Sequence, residues 1–394
     1  MKSLLTHLEC SSCRGLHEAD QAQTVCRKCG KSLLVRYDLA QAGQLLTKTS
    51  LLSRSSTLWR YREFLPIVRV ENIVTLGEGF TPLLHVKKLG AKIGLPSLWL
   101  KEEALNPTGS FKARGLCLAV SKAKEFGIAK VLMPTAGNAG SALAAYAAQA
   151  GMETHVFLPT DTPQINKREI QAYGAHLVEV NGTLNDAAKK MNEMKNQLSG
   201  FDLSTLKEPY RLEGKKTLGY ELAEQMNWKL PDVIVYPTGG GTGIIGMWKA
   251  FNELEALGWI GPERPRMVVV QSTGCAPIVK AWDQGKSESD FWERVETVAA
   301  GLRVPKPFAD WLILRIIRKT HGTAVAVSDD EIQDGILRLA QTEGILPCPE
   351  GAATVSALEH LKRKNFISPD QTVVVFNTAS GSKYAEVLSR AGSG

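Results

Sequence analysis

From residue 98 to residue 376 the sequence alternates short apolar runs with longer stretches of helical period. The runs at 98–101, 130–134, 154–158, 176–180, 232–236, 267–271, 323–327 and 372–376 read as strands. Between them, helices are expected after Lys112 and over 142–150, 163–173, 184–198, 216–226, 244–257, 329–343 and 351–362. This alternation predicts an α/β fold with mostly parallel sheets. Continuous Val/Ile/Leu strands predict sheets covered on both faces. So many units exceed one domain, so the expected form is two three-layer α/β domains with the site between them. We expect a large domain over 79–112 and 207–394, a small domain over 113–206, and a linker or arm over 39–78.

The first 38 residues are of another kind. Cys10-Ser11-Ser12-Cys13 is followed, twelve residues on, by Cys26-Arg27-Lys28-Cys29-Gly30. Two such knuckles predict a zinc-ribbon-like module in which four thiolates hold one tetrahedral ion. Iron in the same sulfur cage, or two redox disulfides, is the competing reading. Four thiolates leave no open coordination position, so the site reads as structural, and His17 reads as a surface residue. The other three cysteines, Cys117, Cys275 and Cys348, lie far apart. An odd total of seven is no framework for a secreted fold and points to a reducing cytoplasm. No run of eighteen apolar residues suggests a membrane span, and the polar first ten residues do not read as a secretory signal. The net charge of +7 is spread along the chain, which argues against a nucleic-acid partner and leaves a small molecule.

Three loops follow strands and open helices, where ligands collect in open α/β sheets. Gly239-Gly240-Gly241-Thr242-Gly243 frees backbone N–H groups to face a phosphate at a helix start. It lacks the GxGxxG spacing of a dinucleotide site and the Lys-Ser/Thr of a P-loop. Thr135-Ala136-Gly137-Asn138-Ala139-Gly140-Ser141 offers hydroxyls, an amide and N–H groups to a carboxylate or a phenolic oxygen. Asn377-Thr378-Ala379-Ser380-Gly381-Ser382-Lys383 follows the last strand. Upstream, Asn106-Pro107-Thr108-Gly109-Ser110-Phe111 leads into Lys112 at a helix start. The positive end of the helix dipole disfavours an ammonium, so an amine there suits a Schiff-base nucleophile. Taken singly, each loop also reads as a tight turn or a helix cap.

Together, a lysine, a phosphate cradle, an Asn loop and a hydroxyl after the last strand are what pyridoxal 5'-phosphate requires. Lys forms the imine, the glycines hold the phosphate, Asn bonds the phenolic oxygen, and a neutral hydroxyl meets the ring nitrogen. That hydroxyl leaves the ring unprotonated, which suits elimination and replacement chemistry.

These motifs resemble the fold-type II, tryptophan-synthase-β-like pyridoxal phosphate enzymes over roughly residues 75–390. Within them, Tyr210-Arg211-Leu212-Glu213-Gly214-Lys215-Lys216-Thr217 is similar to the RLEGxKT segment of the threonine synthase family, some of whose members also carry the CxxC module. The resemblance implies Lys112 as Schiff-base lysine and proton shuttle. It implies Asn138 at the phenolic oxygen, Gly239 to Gly243 with Thr242 at the cofactor phosphate, and Thr378 at the ring nitrogen. Thr135, Asn138 and Ala139 would bind the substrate carboxylate, and Arg211 with Ser141 the substrate phosphate. The implied reaction converts O-phospho-L-homoserine and water to L-threonine and phosphate, in a homodimeric lyase. Phe111-Lys112-Ala113-Arg114-Gly115 and the GGGTG loop also resemble threonine/serine dehydratases. A synthase acting on phosphoserine and a zinc-ribbon adaptor without catalysis are further alternatives.

Overall fold

The computed structural model describes residues 2–391. Strands β1 (Leu5–Cys10), β2 (Leu16–His17) and β3 (Leu33–Tyr37) form a small antiparallel sheet in the order β2-β1-β3. Each cysteine knuckle turns back through the residue after its second cysteine, Arg14 at φ +62° and Gly30 at φ +69°. Such a conformation is natural for glycine and unusual for arginine.

The segment expected as linker or arm carries a helix, Leu39–Leu45, and three short helical stretches, Thr49–Leu51, Leu58–Phe64 and Val70–Asn72. It is packed rather than free. Leu51, Leu58, Tyr61 and Phe64 are buried, Arg60 pairs with Glu224 at 2.5 Å, and the Tyr61 and Tyr220 rings lie 5.1 Å apart.

The rest of the chain builds two sheets. Strands β4 (Leu83–His85), β5 (Leu98–Glu102), β10 (Val233–Pro237), β11 (Arg266–Ser272), β12 (Thr323–Val327) and β13 (Val373–Asn377) form a six-stranded sheet in the order β12-β11-β10-β13-β5-β4. Only β4 is antiparallel to its neighbour. Strands β6 (Lys130–Pro134), β7 (Glu153–Pro159), β8 (His176–Val180) and β9 (Phe201–Asp202) form a parallel sheet in the order β8-β7-β6-β9. Alternation along β10, β11 and β13 shows why the large sheet must be covered twice. Val233, Val235, Val268, Val270, Val373 and Val375 pack into one apolar cluster. Ile234, Tyr236, Met267, Val269, Val374 and Phe376 pack into the other.

The helix expected over 216–226 spans Tyr210–Gln225, so Arg211 lies in its first turn rather than in a loop. Residues 210–223 of this helix are all buried, which erases the polar stripe that marks a helix in a sequence. Likewise the helix expected over 142–150 starts at Asn138, behind Gly137 at φ +143°. Helices Pro277–Asp283 and Asp310–Lys319 have no counterpart in the sequence reading.

Helix Lys112–Glu125 crosses helix Tyr210–Gln225 backbone to backbone: a Cβ on Gly214 would collide with the Arg114 carbonyl. At the crossing Arg114 is fully buried between two carboxylates. Its Nε meets Glu103 at 2.5 Å, Nη1 meets Glu221 at 2.5 Å, and Lys101 reaches Glu221 at 3.0 Å. Burial alone would raise the Glu221 carboxyl, but Arg114 and Lys101 hold it down at about 2. Replacing Arg114 by Met strands the buried Glu103 carboxylate and leaves Glu221 with Lys101 as its one ion-pair partner, and should remove about 3–5 kcal/mol of stability, read by urea denaturation. A depressed carboxylate stabilises the fold above its ordinary 4.5 and ceases to do so as pH falls toward 2. The wild type should therefore lose stability across that window, and Arg114→Met should lose much less of it.

Candidate active site

Lys112 opens its helix and is half-buried, with Nζ 4.4 Å from the Phe111 ring centroid. Thr108 and Gly109, at φ +60° and +62°, bend the chain into that helix. The loop is tied to the segment after β13. Phe111 N–H donates to the Thr378 carbonyl at 2.9 Å, and Ser380 N–H donates to the Gly109 carbonyl at 2.9 Å. Burial, and next the Arg211 charge, push the Lys112 amine down to about 8. A second lysine, Lys215, donates to the Phe111 carbonyl and lies 3.7 Å from the Phe111 ring centroid.

Lys112 lines a cavity of about 250 Å³ at the carboxyl ends of β6, β10 and β13, walled by loops from both sheets. Gly239, Gly240, Gly241, Thr242 and Gly243 line it, with helix Thr242–Ala256 starting inside the turn. Side chains are excluded from this turn on its outer side. A Cβ on Gly239 would strike the Gly301 carbonyl, one on Gly241 would strike Ile313, and one on Gly243 would strike the Tyr236 hydroxyl. Gly241 also requires φ +80°. The turn is a backbone cradle at the positive end of a helix, a form suited to a phosphate.

Thr135, Asn138, Ala139 and Thr378 line the same cavity. Asn138 is held from two sides: its Nδ2 donates to Tyr384 Oη at 2.9 Å, and its Oδ1 accepts from Asn166 at 3.0 Å. Ser141 does not line the cavity; its hydroxyl accepts from Asn166 Nδ2 at 2.9 Å. Thr378 Oγ1 lies 3.6 Å from Cys348 Sγ.

Arg211 reaches the cavity from its buried helix. Its hydrogen bonds go to neutral partners, the Leu203 carbonyl at 2.8 Å and the Met133 sulfur at 3.3 Å. Its Nε has no partner although it is buried. A buried cation with an unmet donor beside an open cavity is a place for an anion. Glu350 Oε2 and the Tyr236 hydroxyl are likewise buried without partners in the cavity wall. These unmet polar atoms, the glycine cradle and the low-pKa amine fit pyridoxal phosphate.

Glu350, Tyr384 and Asn166 are site residues that sequence reading missed. Glu350 Oε1 accepts from Gly301 N–H at 2.6 Å. Its Cys348-Pro349-Glu350-Gly351 context, an acid in the first turn of a helix, was the only available signal. Asn166 and Tyr384 sit in ordinary helical sequence with no such mark.

The four knuckle cysteines converge in the N-terminal module. Cys10 and Cys29 sulfurs lie 3.4 Å apart, and Cys13 is 3.6 Å from both Cys26 and Cys29. Tetrahedral zinc with bonds of about 2.3 Å needs sulfurs about 3.8 Å apart, so the set fits such an ion after slight expansion. Among the described residues no helix is long and apolar enough to cross a membrane.

Residues 74–379 match the family described as pyridoxal-phosphate dependent enzyme. The chain is 33% identical over 383 residues to a threonine synthase of Methanocaldococcus jannaschii, covering 97% of this chain and 94% of that one. It is 37% identical to a threonine synthase of Methanosarcina acetivorans, covering 94% and 91%. Among solved structures it resembles an L-serine ammonia-lyase of Rhizomucor miehei, with a TM-score of 0.65 at 23% identity over 79% of this chain and 98% of that one. That likeness bears on the fold alone. With a lysine, a glycine cradle and a hydroxyl loop around one cavity, and relatives matched along nearly their whole length, the chain belongs to the pyridoxal-phosphate-dependent enzyme family.

Proposed function

We propose that this chain is a threonine synthase, a lyase that turns O-phospho-L-homoserine and water into L-threonine and phosphate. Arg211 carries the reading: it is a buried guanidinium at the cavity with no carboxylate hydrogen-bonded to it and a free Nε. A phosphate ester supplies the dianion that an Arg fork matches; threonine or serine, the dehydratase substrates, bring none. The similarity to curated threonine synthases over more than nine-tenths of both chains supports the same choice.

In this reading Lys112 holds the cofactor aldehyde, and the backbone of Gly239 to Gly243 with Thr242 holds its phosphate. When bound, pyridoxal phosphate supplies the electron sink for proton loss beside the amino group. Thr378 gives the ring nitrogen a neutral partner, and Asn138 meets the phenolic oxygen. Thr135, Asn138 and Ala139 take the substrate carboxylate. Ser141 acts through Asn166, which orients Asn138. The Lys112 amine, once free, would take a proton from the α carbon and one from the β carbon and return protons to the γ and α carbons, while water supplies the β hydroxyl. Arg211 keeps the ester phosphate beside its leaving position. We also assign a structural zinc to Cys10, Cys13, Cys26 and Cys29. Seven unbridged cysteines favour a reducing, cytoplasmic setting.

Phosphohomoserine should yield phosphate and threonine in equal amounts, measured by coupled phosphate assay and amino-acid chromatography. Ammonia and a keto acid from threonine as the main products would replace this reading with a dehydratase. Arg211→Ala should lower kcat/KM for phosphohomoserine by about 100-fold. Cofactor capture by the apoenzyme needs the neutral amine, so its rate should rise with pH and level off above about 8. Removing the Arg211 charge should move that inflection upward, followed by stopped-flow absorbance. Metal analysis of the purified protein should find one zinc per chain, lost together in Cys10→Ser.

A further inference from the structure

Arg211 stands in a helical turn held from outside the cavity. Its neighbour Tyr210 is 1% exposed and packs in one apolar cluster with Leu8, Cys10, Cys26, Leu33 and Val35 of the N-terminal module. Two residues after Arg211, Glu213 accepts a hydrogen bond from Tyr37 Oη at 2.7 Å. Tyr37 is the last residue of β3, and its ring lies under the Lys216 and Lys249 ammonium groups at 4.1 and 5.0 Å. Both lysines also hold Glu213, at 2.6 and 3.0 Å. On the other flank, Glu208 accepts from the amides of Tyr210 and Arg211 at 2.7 and 3.2 Å. Neither Tyr37 nor Tyr210 lines the cavity.

The cysteines themselves form part of this seat. Cys10 and Cys26 are two of the four sulfurs in the metal-type cluster and also members of the apolar cluster into which Tyr210 packs. A module this small holds no core of its own without its ion. Loss of the metal therefore removes the wall behind Tyr210 and loosens the turn that aims Arg211.

We propose that the four-cysteine module is a positioning element of the active site: through Tyr210 and the Tyr37–Glu213 hydrogen bond it fixes Arg211, so metal retention sets affinity for the anionic end of the substrate. The inference rests on the assignment of Arg211 to phosphate made above.

The test uses the metal-loaded holoenzyme, with inorganic phosphate as probe and calorimetry as readout. Tyr210→Ala should weaken phosphate binding about tenfold or more. The KM for phosphohomoserine should rise in parallel, while kcat changes less than about threefold and the cofactor absorbance stays. Tyr210 Oη has no partner, so Tyr210→Phe should keep the wild-type phosphate affinity. Chelating the metal from wild type should reproduce the Tyr210→Ala shift, and zinc should reverse it. Tyr37→Phe should weaken phosphate by about threefold. If Tyr210→Ala does not fold, the chelated wild type and Tyr37→Phe decide. Unchanged phosphate affinity in these two, with affinity lost in Arg211→Ala, overturns the positioning role and leaves the Arg211 assignment standing. Wild-type affinity in Arg211→Ala overturns both.

Discussion

The contact between helices Lys112–Glu125 and Tyr210–Gln225 governs the molecule. They touch at Gly214, where a Cβ would collide with the Arg114 carbonyl, and at Gly115, where a Cβ would sit tightly, 3.0 Å from the Arg211 carbonyl. The crossing sets where the amine of Lys112 stands relative to the guanidinium of Arg211. Arg114, with Glu103 and Glu221, locks it electrostatically within two residues of Lys112. A buried charge set of this kind adds less net stability than it would lose if broken, and it specifies one arrangement over others. Here the arrangement it specifies is the spacing of two functional cations.

The same crossing explains the electrostatics of the cavity. Lys112, Arg211 and Lys215 gather in one buried region, and burial followed by their neighbours' charges depresses Lys112 and Lys215. An anionic cofactor and an anionic substrate would relieve that crowding. The site is thus poised to gain from ligands, and the glycine cradle would meet a cofactor phosphate with backbone dipoles.

Much of this was legible in the sequence, for physical reasons that also mark the boundary of legibility. Strands β6 and β8 and helices Leu184–Leu198 and Asp329–Glu343 fall where periodicity placed them. The strands are short apolar runs set off by turn residues, and helix Asp329–Glu343 opens on a capping box, Ser328 with Glu331. The start of helix Tyr210–Gln225 was hidden because Glu213, Lys215, Lys216 and Glu221 read as a solvated face and are buried as ion pairs and amine contacts. Lys112, Asn138 and the glycine loop announced themselves through turn chemistry next to strands. Asn166 and Tyr384 reach the cavity through tertiary packing, which no local pattern encodes, and Glu350 showed only as an acid in the first turn of a helix.

The place of β13 has a consequence in time. It is the last strand of the described chain, yet it lies between β10 and β5, and the segment after it clasps the lysine loop through Thr378 and Ser380. A ribosome delivers β10, β11 and β12 first, and β5 well before any of them. The middle of the large sheet must therefore stay open until β13 itself has emerged, with β5 and β10 waiting on either side of the gap. Nascent chains lacking residues 378–380 have no finished lysine loop, so Lys112 is seated only after those residues arrive.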